Sequence, residues 1–117
     1  MAKGQTIEFY TQKKDVLHKW IHCLAQFVIQ LDLKDHLKIG DIIGSGHFAK
    51  VHYCSRKDDP SDTPKQYALK TMEKAAIKKS SRNITAVRNE IAVLRALKHD
   101  KTIKLYAVFE TRNYIHM

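Results

Sequence analysis

Three places in this chain carry residue types that could handle a polyphosphate. In "IGSGHFAKV", residues 43–51, only Ser45 separates Gly44 from Gly46, and Ala49 follows at the spacing Gly-x-Gly-x-x-Ala, in a chain with only four glycines. Bare Cα positions let a loop close on phosphate oxygens with backbone N–H groups directed at them. The same stretch also reads as a plain hairpin turn, although two-residue hairpins favour Asn-Gly or Gly-Gly at their centre. Lys70 in "YALK" could neutralise phosphate oxygens, and Glu90 in "RNEIAVLRAL" is a carboxylate on the apolar side of a helix. Each has an ordinary explanation alone: a surface lysine at a strand end, a glutamate at the edge of an apolar stripe. A glycine loop, a strand lysine and a helix glutamate together form a pattern that chance rarely supplies.

The elements around these residues decide what they can do. "LKIGDIIGSG" and "HFAKVHYCS" read as two short strands joined at the glycines. A dinucleotide-binding turn would need a helix directly after the glycines, and "KVHYCS" is strand-like instead. "QYALKTM" reads as a third strand, whose alternation puts Ala68 and Lys70 on one face and Tyr67 and Leu69 on the other. "SSRNITAVRNEIAVLRAL" predicts a long helix near residues 81–98, capped by Ser80 or Ser81, with Glu90 on the same side as Val87, Ile91 and Leu94. A carboxylate on that side is costly to bury without a cationic partner. "IKLYAVFE" and "NYIHM" predict two further strands, and "RKDDPSDTPK", which holds both prolines, predicts an exposed loop.

Upstream the pattern differs. "TIEFY" is a short β-like run, and "TQKKDVLHKWIHCLAQFVIQL" predicts an amphipathic helix with Thr11 as N-cap. Val16, Trp20, Leu24 and Phe27 or Val28 recur there at helical spacing. "DLKDH" is a charged joint between the two regions.

Composition limits the function classes. A chain of 117 residues with 44% hydrophobic side chains can build one modest core. No apolar run approaches the roughly 18 residues of a membrane-spanning helix, and the first fifteen residues lack the apolar centre of a secretory signal. Cys23 and Cys54 are too few and too far apart for a disulfide framework or zinc site, so both are expected as reduced thiols in a cytoplasmic protein. The net charge is +9, and residues 70–104 hold ten Lys/Arg against three Asp/Glu. That block could face an anionic membrane or an acidic partner. It lacks interleaved aromatics and any helix-turn-helix or zinc-finger spacing, so nucleic acid is not an expected partner.

Residues 37–117 resemble the N-terminal lobe of a eukaryotic protein kinase. "GSGHFAKV" resembles the glycine-rich loop, with Gly44, Gly46 and Ala49 at the three glycine positions and Phe48 at the loop tip. The resemblance implies that Ile43, Gly44, Ser45, Gly46, His47, Phe48, Ala49, Val51, Ala68 and Lys70 bind ATP. Val51 and Ala68 would border the adenine, Lys70 would hold the α- and β-phosphates, and Glu90 would be the ion-pair partner of Lys70. Leu94 and Leu105 fall where the family stacks its regulatory spine. The wording of "FAKVHYCSRK" and "NEIAVLRALKH" is most similar to Ser/Thr kinases of the calmodulin-dependent and protein kinase D type. The first 31 residues resemble the last strand and C-terminal helix of a pleckstrin-homology domain, with Trp20 at the family's tryptophan position.

These resemblances imply an α+β fold: a five-stranded antiparallel sheet with one major helix over residues 37–117, an amphipathic helix within 1–31, and a linker at 32–36. The implied reaction is transfer of the ATP γ-phosphoryl group to a Ser/Thr hydroxyl of a protein substrate, with Mg2+. Ala49 departs from the third glycine, and no His-Arg-Asp or Asp-Phe-Gly motif occurs, so the chain is expected to be a truncated kinase, inactive alone and lacking its magnesium ligands. The alternative is a non-catalytic module: a pseudokinase, or a domain docking on membrane or partner through its basic face. Recruitment to anionic membrane lipid would come through the upstream domain, whose lipid-binding loops are not in this sequence.

Overall fold

The computed structural model describes residues 4–25, 27–80 and 83–117. Helix α1 spans Lys14–Leu24, strand β1 Ile29–Gln30 and the short helix α2 Leu33–His36. Strands β2 (Leu37–Ser45), β3 (Ala49–Arg56) and β4 (Gln66–Glu73) follow, then helices α3 (Lys74–Lys79) and α4 (Ile84–Ala96), and strands β5 (Val108–Glu110) and β6 (Tyr114–His116). The architecture is α+β, as expected, but the sheet has six strands in the order β1-β5-β6-β4-β3-β2, and β1 runs parallel to β5. The sixth strand comes from the upstream segment.

Alternation along the strands sorts the side chains onto two faces. On one, Met72, Val108 and Ile115 pack against Ile77 of α3 and Val87 and Ile91 of α4, forming the larger core. Val87 and Val108 are almost wholly enclosed. On the other, Cys54, Leu69 and Phe109 are covered by Leu33 of α2. The helical stripe of α4 therefore falls where its period put it, with Leu94 half-buried at the end of the stripe.

Several local expectations are corrected. The cap of α4 is Asn83, whose side chain accepts a hydrogen bond from the Ala86 backbone N–H at 2.8 Å. Ser80 instead ends α3, with its hydroxyl donating to the Ile77 carbonyl, and Ser81 lies outside the described residues. Helix α3 falls between the runs read as a strand and a helix, where no element is expected. The N-cap of α1 is Lys13, not Thr11; the Thr11 hydroxyl accepts from the Lys13 N–H just before the helix. Helix α1 ends at Leu24, so Phe27 and Val28 leave the stripe, and none of its residues is buried. "TIEFY" forms no strand, because the alternation there finds no partner to pair with. Of "IKLYAVFE" only Val108–Glu110 is strand. The joint at residues 32–36 is a helical turn with Leu33 buried, not a free linker. Among the described residues no helix is long and apolar enough to cross a membrane.

Candidate functional site

Strand β4 brings the site together. It pairs with β3 so that Val51 lies opposite Lys70 and Tyr53 opposite Ala68. Across its other edge the backbone of Lys70 exchanges two hydrogen bonds with Met117, at 2.7 and 2.9 Å. Paired on both sides, Lys70 has a fixed backbone and a side chain pointing to the α4 face. There its Nζ lies 3.3 Å from Oε1 of Glu90. The pair is partly exposed, 35% for Lys70 and 29% for Glu90. In that setting an ion pair adds under about 1 kcal/mol to stability. Its consequence is geometric: the ammonium is held at one point of the face while one side remains open to solvent.

Lys70 and Glu90 border a cleft of about 790 Å³, with Val51, Ala68, Leu94, Leu105 and Met117 among its walls. Apolar walls with one placed ammonium suit a ligand with a flat apolar end and an anionic end. The cleft continues to α1, where Ile21 and His22 also line it, and His22 is tied to Arg56 by a hydrogen bond. No sequence signal pointed to α1 as a wall, since its position depends on contacts with Arg56 at the end of β3.

The glycine loop joins β2 to β3, with Gly44 opposite Val51 and Ser45 opposite Lys50. Gly46 donates to the Ala49 carbonyl at 2.8 Å, closing the turn. No described glycine has a positive φ. A Cβ built at Gly44 would approach Val51 no closer than 3.8 Å, and one at Gly46 would approach the Ala49 carbonyl no closer than 3.8 Å. Neither conformation nor packing within the chain therefore calls for glycine at these positions. What bareness leaves is backbone accessible from outside, as a phosphate cradle requires.

Among the sequence-predicted residues, Val51, Ala68, Lys70 and Glu90 share the cleft. Ile43, Gly44, Ser45, Gly46, His47 and Phe48 lie along the hairpin beyond its walls, with Ile43 and Phe48 exposed. Ala49 packs against the larger core, opposite Met72, so its methyl replaces a bare position by a core contact.

A divalent cation does not fit the residues present. Among the described residues no group of three or more His, Cys, Asp or Glu could hold one, and Glu90, beside Lys70 in the cleft wall, is engaged by its ammonium. Two of the loop carboxylates are engaged elsewhere. Asp58 is held by the Arg56 guanidinium, which keeps its carboxyl below the usual range, and Asp59 accepts from the backbones of Ser61 and Lys65.

Residues 37–117 match the protein kinase domain family. The chain is 32% identical over 90 residues to Serine/threonine-protein kinase DCLK3 of Mus musculus, covering 77% of this chain and 10% of that protein. It is 28% identical over 85 residues to Calcium/calmodulin-dependent protein kinase type 1 of Caenorhabditis elegans, covering 73% of this chain and 23% of the relative. It is 36% identical over 85 residues to Putative CBL-interacting protein kinase 13 of Oryza sativa subsp. japonica, covering 72% of this chain and 16% of the relative. The chain thus spans less than a quarter of the length of each of these relatives.

Proposed function

The chain belongs to the protein kinase family, and from that premise we propose that residues 37–117 are the ATP-holding part of a protein Ser/Thr kinase. The observation that carries this reading is the Lys70–Glu90 pair, which fixes an ammonium in the wall of a largely apolar cleft. Lys70 would bind the α- and β-phosphates, and Glu90 would orient Lys70. Residues 43–49 would fold over the phosphates, while Val51 and Ala68 would flank the adenine. These residues bind and orient; none of them is placed to remove a proton from a substrate hydroxyl. Phosphoryl transfer itself depends on positioning and charge stabilisation, including Mg2+, for which the described residues form no site.

On the same footing, residues 1–31 are assigned to the end of a pleckstrin-homology-like domain. Helix α1 supports the assignment, with Trp20 against Phe9 at 6.0 Å between ring centroids. Recruitment of the whole protein from the cytoplasm to anionic lipid would depend on that domain. A second reading, a non-catalytic docking module, is favoured by the exposed basic residues Lys78, Lys79, Arg88, Lys98, Lys101 and Lys104.

Titration calorimetry with ATP separates the two. The clamp reading expects binding that weakens by at least about tenfold in Lys70→Met, since a charge-assisted hydrogen bond contributes roughly 1.5–3 kcal/mol. Equal affinity in both proteins would end it.

A further inference from the structure

The segment just upstream of the family match is built into the lobe at several points. Strand β1 pairs with β5 at Val108 and Phe109, two of the most enclosed positions of the sheet. Leu33 closes the second core against Cys54, Leu69 and Phe109. The His36 carbonyl accepts from the Lys57 N–H at 2.9 Å. One further contact does not go to the sheet: Nη2 of Arg95, in the last turn of α4, donates to the Val28 carbonyl at 2.8 Å. Nε of Arg95 is enclosed without a partner among the described residues, so the side chain is packed down onto the segment and not extended into solvent.

Residues 28–36 therefore form a strap with two kinds of attachment. Pairing with β5 and the burial of Leu33 fix it to the sheet that carries Lys70. Arg95 fixes it to the helix that carries Glu90. Besides the core packing of Val87 and Ile91 against the sheet, the two partners of the ion pair thus share a further connection, independent of their own contact. The core holds α4 on the sheet, and the partly exposed pair adds too little to fix where the Glu90 end of the helix sits.

We propose that Arg95 is a positioning residue for the Lys70–Glu90 pair, fastening α4 to the strap of residues 28–36 so that Glu90 stays within reach of Lys70. Its functional meaning rests on the clamp reading above, although the geometry does not. The upstream region would then act on the clamp mechanically: a pull on residue 28 loosens the Arg95 contact and lets α4 move away from Lys70. Such a connection lies outside residues 37–117 on one side and within them on the other, which makes the clamp sensitive to whatever residues 1–27 engage.

The test reads Lys70 directly, without nucleotide. The full chain is labelled with trace acylating reagent, and modification of each lysine is quantified by mass spectrometry against exposed Lys101. Pairing and part burial shield Nζ of Lys70, so Glu90→Gln should raise its labelling severalfold. Arg95→Ala is expected to raise it to the same level with Lys101 unchanged. Leu33→Ala, which weakens the strap from the sheet side, should move it in the same direction. Arg95→Lys keeps a donor for the Val28 carbonyl and should return labelling to the unsubstituted level. The proposal is overturned if Arg95→Ala labels like the unsubstituted chain while Glu90→Gln is raised, or if Arg95→Lys labels as fast as Arg95→Ala. It is also overturned if Glu90→Gln changes nothing, since the pair is then not formed in solution. ATP titration stays a separate readout, so labelling tests the strap even in a chain that binds no nucleotide.

Discussion

Glu90 and Ile91 are neighbours on α4 with opposite energetic roles. Glu90 meets Lys70 across partly exposed space, with Nζ 3.3 Å from Oε1. Ile91 is 4% exposed and packs in the core shared with Val87 and Met72. Removing the charge of Glu90 leaves a polar, partly solvated group, whereas truncating Ile91 leaves a cavity. Urea denaturation should show Glu90→Gln costing under about 1 kcal/mol and Ile91→Ala about 2–5 kcal/mol. A large loss from Glu90→Gln would mean that the pair holds the lobe together instead of aiming Lys70.

Stability should also fall on mild acidification because of His116. It is 7% exposed on β6, with Nδ1 2.9 Å from the Thr71 hydroxyl and Nε2 enclosed without a partner among the described residues. Burial lowers its pKa from the ordinary 6.5. The unfolded chain then binds the proton more readily than the folded one. The contribution of neutral His116 is thus present above pH 6.5 and lost as pH falls through the lower folded value. Denaturation midpoints measured downward from pH 7.5 should decline, and His116→Phe should flatten that decline. An unchanged slope in the variant would assign the acid sensitivity to other groups.

Much of this was legible in the sequence, for local reasons. The alternation in "QYALKTM" placed Ala68 and Lys70 together, and the helical period placed Val87 and Ile91 inward with Glu90 beside them. What stayed hidden depends on distant partners. A two-residue strand such as Ile29–Gln30 has no pattern of its own and exists because β5 accepts it in parallel. "TIEFY" has the pattern and no partner. The Arg95–Val28 contact spans 67 residues, so neither residue type nor spacing could announce it.

A polypeptide of these 117 residues should not transfer phosphoryl groups. Lys70 and Glu90 can bind and orient, but Glu90 faces Lys70, and Asp58 and Asp59 are engaged by Arg56 and by the backbone of their own loop. Incubation with magnesium, labelled ATP and a generic protein substrate should give transfer equal to a Lys70→Met control. Transfer above that control would mean that the chain assembles a catalytic site from residues outside the cleft.

The most direct test of the nucleotide clamp is an amide chemical-shift map of the uniformly labelled chain during titration with ATP. The largest shifts are expected at residues 43–51, at Ala68 and Lys70 on β4, and at Glu90 on α4, and should be lost in Lys70→Met. Shifts confined to the basic residues Lys78, Lys79, Arg88, Lys98 and Lys101, unchanged by Lys70→Met, would contradict the clamp and favour a charged docking face instead.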